Sequence, residues 1–280
     1  MKKRLFSAIV STLVFALAGC GAATTSQPAH ENHQASTPAA AEAPKEQSLL
    51  DQVKADGTLR IGTEGTYSPF TFHDTAGKLT GYDVDVVTEV AKRIGVEPVF
   101  QETQWDAMFA GLDAKRFDVI ANQVGIRPDR QEKYDFSKAY TVSTAVLVTH
   151  KDNSAVKGFE DIKGLKAAQT LTSNLTDIAK KNGAEIVGVE GFNQAIDLLV
   201  SKRVDITIND GLSLLDLLKQ KPDTPIKIVA KDPNVAENGF MFRKGSTELV
   251  DAFNSALDDM RKDGTLKKIS EKWFGADVSQ

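Results

Sequence analysis

Residues 82–102, YDVDVVTEVAKRIGVEPVFQE, contain the pattern that decides the fold. Its apolar residues share one helical face: Val84, Val87, Ala91 and Ile94. Gly95 is a helix stop signal, and the EPVFQE that follows is typical of a strand. A strand pattern at 58–63 precedes this unit, and a helix pattern at 105–116 and a strand pattern at 117–122 follow it. The order βαβαβ predicts an α/β sheet with parallel strands, whose third strand leaves the core at Asn122.

A second α/β set follows the extended run AYTVSTAVLVTHKD at 139–152. Strand patterns occur at 165–171, 184–189, 204–210 and 226–232, with helix patterns at 174–183, 192–203 and 211–220 between them. An extended stretch at 238–245 then leads into two further helices. The chain has no simple repeat. Two similar α/β units separated by extended segments indicate two lobes joined by strand-like hinges.

The first nineteen residues have the pattern of a signal peptide. Three basic residues precede an apolar stretch, Leu5 to Leu17, which is too short for a comfortable membrane span. The tetrad Leu17-Ala18-Gly19-Cys20 resembles the lipobox of bacterial lipoproteins, which implies that Cys20 is lipidated and becomes the new N-terminus. Since Cys20 is the only cysteine, it forms no internal disulfide. The alternative is an ordinary signal peptide with an incidental cysteine.

Residues 20–47 are predicted to be a disordered tether. From 21 to 47 there is no Val, Ile, Leu, Met, Phe, Trp or Tyr, so this segment cannot bury enough apolar area to offset its ordering entropy. His30 and His33 could suggest a metal, but two histidines in a polar linker are a weak signal, and we predict no metal and no cofactor.

The charge of the chain argues against nucleic acid as a partner. Removal of residues 1–19 takes away three positive charges and lowers the formal charge from −4 to −7. An acidic body offers no phosphate-binding surface. No second apolar run approaches membrane-spanning length, so we expect a tethered, soluble body outside the cytoplasm.

Polar residues collect where the predicted strands end. In open α/β sheets ligands bind beyond the carboxyl ends of the strands. Those ends fall at 63–67, 122–130, 171–174 and 209–210. They supply an arginine, an aspartate, hydroxyls at a helix start and an aromatic ring, a set complementary to a zwitterion. The same set lacks a histidine, a cysteine or a paired acid and base, so we predict a binding protein and no enzyme.

The run Gly81-Tyr82-Asp83-Val84-Asp85-Val86 resembles the signature of extracytoplasmic solute-binding proteins of family 3, which deliver polar amino acids to ABC importers. The resemblance extends from about Leu49 to Phe274. Four stretches look most similar to the L-cystine-binding branch: GTEGTYSPFTFHD, ETQWDAMFAGLDAKRFDVIANQV, QTLTSN and KDGTLKKISEKWFG. The family implies a two-lobed, type II periplasmic-binding-protein-like fold that closes on its ligand. It also implies permease and ATPase subunits as partners. The implied lobes are 48–142 with 239–280, and 143–238.

The resemblance also implies a role for each site residue. Arg130 would bind the ligand's α-carboxylate, with Gly125 offering a backbone amide and Asn122 and Gln123 forming the floor. Ser173 and Asn174 would meet the carboxylate at a helix N-terminus. The full predicted set is Glu64, Tyr67, Trp105, Asn122, Gln123, Gly125, Arg130, Thr172, Ser173, Asn174 and Asp210.

Several of these roles have alternatives. Ser173 and Asp210, the latter matching the acid that binds the α-ammonium, could equally be helix N-caps. Tyr67 and Trp105 would face the ligand side chain, although an aromatic at a helix start could simply belong to the core. Glu64 would suit the distal ammonium of cystine but also a basic amino acid. A surface adhesin and a dehydratase-like enzyme are the less favoured functions.

Overall fold

The computed structural model describes residues 47–280. Signal peptide 1–19, Cys20, His30, His33 and all of the predicted tether except Gln47 lie outside the described residues. Within residues 47–280, no helix is both long and apolar enough to cross a membrane.

The helices and strands alternate as the hydrophobic pattern predicts. The strands are β1 Thr58–Thr63, β2 Thr66–Tyr67, β3 Thr71–His73, β4 Leu79–Thr80, β5 Glu97–Glu102, β6 Val119–Gly125, β7 Tyr134–Phe136, β8 Thr141–His150, β9 Lys166–Gln169, β10 Glu185–Gly188, β11 Ile206–Asp210 and β12 Ile226–Arg243. The α-helices are α1 Leu49–Asp56, α2 Tyr82–Ile94, α3 Trp105–Asp113, α4 Pro128–Gln131, α5 Asn174–Lys181, α6 Phe192–Val200, α7 Gly211–Gln220, α8 Thr247–Lys262 and α9 Thr265–Phe274. A 3₁₀ turn spans Phe159–Ile162.

One large sheet runs through the body in the order β10-β9-β11-β8-β12-β6-β1-β5, with β7 paired to β12. On each side the strands are parallel: β1 pairs with β5 and β6, and β9 pairs with β10 and β11. In the middle, β8 and β12 pair antiparallel and join the two parallel groups. The predicted α/β fold with two lobes is therefore confirmed.

The buried side chains divide in the same way. Two hydrophobic clusters draw on residues 53–140 and 240–266, and the other two draw only on residues 145–226. Each lobe thus has a core of its own, as a hinged pair requires. The lobe boundaries at 142/143 and 238/239 stay a prediction.

The signature run 81–86 fixes the start of α2 against neighbouring segments. Gly81 has φ 136°, and a Cβ there would lie 2.1 Å from the Phe70 carbonyl oxygen, so only glycine fits. The buried Tyr82 hydroxyl donates to the Tyr140 carbonyl at 2.6 Å. Asp85 accepts hydrogen bonds from Lys272 and Trp273 at 2.6 and 2.8 Å, which ties α2 to α9.

Two predictions about local structure were wrong. β6 continues to Gly125 with every residue buried, so the chain does not leave the core at Asn122. The separate strand at 226–232 and extended stretch at 238–245 are one strand, β12, whose pairing shifts register between Lys231 and Val235.

Candidate functional site

A cavity of about 160 Å³ lies between the two lobes, where β1, β6, β9 and β11 end. Eight of the eleven predicted ligand residues line it: Glu64, Tyr67, Trp105, Asn122, Gln123, Ser173, Asn174 and Asp210. These residues come from both lobes. The fold brings together strand ends that are far apart in the chain: Glu64 and Asp210, for example, are separated by 146 positions.

The other three predicted residues, Gly125, Arg130 and Thr172, lie at one end and are not part of the cavity lining. Arg130 Nη1 donates to the Gly125 carbonyl at 3.1 Å, and Nη2 approaches the Thr172 carbonyl at 3.5 Å. A Cβ on Gly125 would lie 3.6 Å from Arg130 Nη1 and 3.8 Å from Asn174 Nδ2. Gly125 therefore lies between the arginine and the cavity wall, and a Cβ there would make only ordinary van der Waals contacts with both.

Arg130 is a buried cation without an anionic partner in the described chain. Its side chain packs against the Trp105 and Phe109 rings, with the guanidinium carbon 5.7 and 5.3 Å from their centroids. No carboxylate in residues 47–280 forms an ion pair with it. Burial lowers the pKa of Arg130 to about 10, and the nearby Arg127 charge adds to this. Since an unpaired buried charge is costly, this end of the site is suited to an anion.

Asp210 is the buried acid of the second lobe. Leu212 N–H donates to its Oδ1 at 2.8 Å, so the carboxylate is the N-cap of α7, and the Ser143 hydroxyl donates to Oδ2. Burial nevertheless raises the pKa of Asp210 to about 6, and no cation pairs with it in the described residues. The Asp210 side chain therefore both caps α7 and faces the cavity.

Ser173 likewise caps α5, accepting a hydrogen bond from Leu175 N–H at 3.1 Å. Asn174, the first residue of α5, lines the cavity beside it. The positive end of this helix therefore points towards the end of the cavity where Arg130 lies, and it adds to the preference for an anion there.

The cavity lining also contains the aromatic side chains of Tyr67, Trp105 and Phe192 and a second acid, Glu64. The Tyr67 ring lies 5.9 Å from the Phe192 ring, and its hydroxyl donates to Asn209 Oδ1 at 2.9 Å. Glu64 accepts a hydrogen bond from Asn122 Nδ2 at 2.6 Å. Burial raises the pKa of Glu64 to about 7, an effect that Asn122 opposes and the Asp106 charge strengthens. A neighbouring cavity of about 230 Å³ shares Glu64, Gly191 and Phe192 with the first.

The structure also reveals lining residues that the sequence argument missed. The main ones are Ser143, Asn238 and Val235 from the central strands β8 and β12, and Phe192 and Asn209 from the second lobe. Asn209 belongs to the predicted strand end 209–210 but was not assigned to the ligand site. Phe192 could have been found as the first residue of α6, directly after Gly191. In residues 47–280, no group of three His, Cys, Asp or Glu side chains is placed to hold a metal ion.

The sequence model of bacterial extracellular solute-binding proteins, family 3, matches residues 59–276. The chain belongs to this family. Its members are extracellular by description, which agrees with the expected location outside the cytoplasm.

Among the relatives in this family, the L-cystine-binding protein TcyA of Bacillus subtilis (strain 168) is 50% identical over 281 residues, which cover 100% of both chains. The L-cystine solute receptor of Neisseria gonorrhoeae, in an unliganded open conformation, is 49% identical. The match covers 83% of this chain and 99% of that chain, with a TM-score of 0.57.

A third family neighbour is an ancestral arginine-binding protein bound to arginine, 37% identical, with 78% of this chain and 98% of that chain covered and a TM-score of 0.74. The less identical, ligand-bound structure therefore superimposes better than the more identical open one.

Proposed function

We propose that this protein is the receptor of an amino-acid ABC importer and captures L-cystine between its lobes. One observation carries the proposal. Arg130 is buried without a carboxylate partner in residues 47–280, beside a cavity whose lining includes two acids, Asp210, which has no cation partner in those residues, and Glu64. That charge pattern fits a ligand with a carboxylate and an ammonium at one end and a further ammonium at the other.

At the near end, the ligand carboxylate would bind Arg130, the Gly125 amide, and the α5 N-terminus at Ser173 and Asn174. The planar guanidinium allows a bidentate pair with a carboxylate. The α-ammonium would bind Asp210. Because Thr172 contacts Arg130, we expect the segment around Thr172 to lie near the same ligand carboxylate.

At the far end, the disulfide of cystine would lie beside Tyr67 and Trp105, where sulfur–aromatic contacts are favourable. Its distal ammonium would face Glu64, and the neighbouring cavity offers room for the rest of the distal half. TcyA and the gonococcal receptor, which are L-cystine proteins by name, support this choice of ligand.

A basic amino acid is the second candidate. Glu64 could also bind a guanidinium or a side-chain ammonium, and a structural neighbour carries arginine. The distal cation of a basic ligand would have Glu64 as its acidic partner, and burial raises the pKa of Glu64 to about 7. Unlike cystine, a basic amino acid has no second carboxylate.

For the whole chain, we propose that Cys20 is lipidated and anchors the body to the cell membrane, with a permease and an ATPase as partners. The lipobox-like tetrad and the family support this arrangement. The lobes would be 48–142 with 239–280, and 143–238.

Thermal-shift titration against the twenty amino acids plus cystine, under non-reducing conditions, tests the ligand. We expect cystine to rank first, with cysteine and the basic amino acids at least about tenfold weaker, a gap of about 1.4 kcal/mol. Cysteine keeps the near-end contacts but leaves the aromatic end unfilled. Arginine, histidine or glutamine outranking cystine would overturn the ligand while leaving an amino-acid receptor in place.

A further inference from the structure

A carboxylate of the first lobe holds a backbone segment of the second. Asp106, in the first turn of α3, accepts hydrogen bonds from Leu171 N–H and Thr172 N–H, both at 2.9 Å. The Thr172 hydroxyl donates to the same carboxylate at 2.7 Å. Three donors from two consecutive residues thus converge on one side chain of the opposite lobe.

Thr172 also contacts the first lobe through its backbone carbonyl. Arg130 Nη2 approaches the Thr172 carbonyl oxygen at 3.5 Å, so both the N–H and the C=O of Thr172 meet first-lobe side chains. Packing adds little here, because the Leu171 side chain is 57% exposed. The attachment of this segment to the first lobe therefore depends on hydrogen bonds, of which those to the charged carboxylate are the strongest.

The position of these residues ties the contact to the cavity. Asp106 follows Trp105, and Thr172 precedes Ser173 and Asn174, all three of which line the cavity. Neither Asp106 nor Thr172 lines it. Asp106 has no ligand contact in the proposed function, so a change at Asp106 would act on how long the lobes stay together.

Other polar contacts also cross the cleft. Arg127 pairs with Asp177 at 2.7 Å, and the Ser68 hydroxyl donates to Asp216 at 2.8 Å. Each joins two side chains, one of which can turn away into water at small cost. Asp106 differs because two of its donors are main-chain amides, which lose a charged acceptor whenever the lobes separate.

We propose that Asp106 is a positioning residue that locks the cleft by binding the backbone of Leu171 and Thr172, and so sets the lifetime of the ligand complex. This inference rests on the proposed function in one respect, namely that ligand capture occurs by lobe closure. It reassigns Thr172 from ligand binding to closure.

Stopped-flow fluorescence with L-cystine tests the lock, with Trp105 in the cavity wall as the reporter. For Asp106→Asn we expect the dissociation rate constant to rise roughly tenfold or more. All three hydrogen bonds lose the charge of their acceptor, and one carboxylate oxygen is replaced by an NH2 donor that cannot accept. Association should stay within about threefold, because lobe closure follows encounter. Thr172→Val, which removes only the hydroxyl, should raise dissociation by a smaller factor.

Asp113→Asn is the matched control. Asp113 ends the same helix, and its carboxylate accepts a hydrogen bond from the Tyr134 hydroxyl at 3.0 Å within the first lobe. The association and dissociation rate constants of Asp113→Asn should match those of the parent. Parent-like dissociation in Asp106→Asn, or an equal rise in the control, would overturn the lock.

Hydrogen exchange separates this inference from the ligand assignment. The Leu171 and Thr172 amides should exchange more slowly in the parent than in Asp106→Asn, measured with and without L-cystine. If the parent does not bind L-cystine but this difference is present, the ligand proposal fails and the lock stands. Equal exchange in both proteins under both conditions overturns the lock.

Discussion

Asp83 accepts two hydrogen bonds from Gln123, from the backbone N–H at 2.8 Å and from Nε2 at 2.6 Å. Gln123 lines the cavity and has φ 50°, a left-handed conformation that is uncommon for a residue with a side chain. Asp83 belongs to the family signature but does not line the cavity. The signature therefore supports the cavity floor from behind, and the strain at Gln123 is held by a buried carboxylate.

Asp83→Ala should destabilise the protein and weaken ligand binding together. Two buried donors of Gln123 would lose their acceptor, at about 1–3 kcal/mol each, and the cavity floor would lose its fixed conformation. Urea unfolding and calorimetry measure the two effects. Asp251→Ala, on the exposed face of α8, serves as the control and should change neither by more than about 0.5 kcal/mol. Full affinity in Asp83→Ala would mean that Gln123 does not need this support.

Gly81→Ala tests the close backbone contact between Gly81 and Phe70 at the start of the signature. The new Cβ would lie 2.1 Å from the Phe70 carbonyl oxygen, at a φ of 136° that alanine disfavours, so we expect a loss of about 3 kcal/mol or more. Gly77→Ala is the matched control, because Gly77 also has positive φ, 77°, but has no atom within 4 Å of the new Cβ. Its loss should be about 1 kcal/mol, from the backbone conformation alone. Equal losses in thermal or urea unfolding would contradict the steric reason.

The sequence predicted the fold because its helices and parallel strands have strong, regular hydrophobic periods. α2 and β5 fall where the pattern places them. The continuity of β12 was not predictable, because polar residues and Pro233 between Lys231 and Val235 break the alternation where the pairing shifts register.

The site was predicted to the extent that it follows strand ends. Residues at those ends, such as Glu64 and Asp210, do line the cavity. Ser143 and Asn238 were missed because they lie within the paired central strands, where only the three-dimensional arrangement shows which face meets the cleft. Contacts between lobes, such as that of Asp106 with Thr172, have no signal in local sequence.

Arg130 is expected to matter for binding far more than for folding. Arg130→Ala should weaken L-cystine binding by about 2–5 kcal/mol, because the ligand carboxylate would be desolvated without a charge partner. Arg130→Lys should recover little of this, since an ammonium cannot form the bidentate pair. Calorimetry measures both.

Arg130→Met separates binding from stability. Methionine fills much of the same volume and removes a buried charge that has no carboxylate partner in the described chain, so the ligand-free protein should unfold at the same or a higher urea concentration. An affinity within about threefold of the parent in Arg130→Ala, a gap near 0.6 kcal/mol, would refute the role of Arg130 in binding.

Cys20→Ser should release the protein from the membrane without changing the ligand affinity of the body. In the proposed anchor the lipid attaches to the cysteine thiol, which serine lacks, whereas the cavity lining described above belongs to residues 47–280. Membrane fractionation of cells that make either version, followed by calorimetry on the released protein, is the measurement. Unchanged membrane retention would show that the lipobox interpretation is wrong.

The last prediction concerns the pH dependence of binding through Glu64. Burial raises the pKa of Glu64 to about 7, so a growing fraction of the acid is protonated as the pH falls below that value. A distal ammonium binds the ionised form, and binding below the pKa must first remove the proton. The affinity should therefore fall with decreasing pH, by up to about tenfold for each unit below the pKa.

Asp210, whose pKa burial raises to about 6, should add a second, lower step to the same curve. Glu64→Gln isolates the first step, because glutamine keeps the size of the side chain but does not titrate. The variant should bind L-cystine more weakly than the parent near pH 7.5, and its affinity should change less than that of the parent between pH 7.5 and 6.5. Some pH dependence should remain, because Asp83, whose pKa burial raises to about 7, and Asp210 still take up protons. Calorimetric titrations between about pH 5 and 7.5 give both curves, a range below the α-ammonium pKa of free amino groups. Parallel curves for parent and variant between pH 6.5 and 7.5 would show that Glu64 does not face the ligand's positive charge.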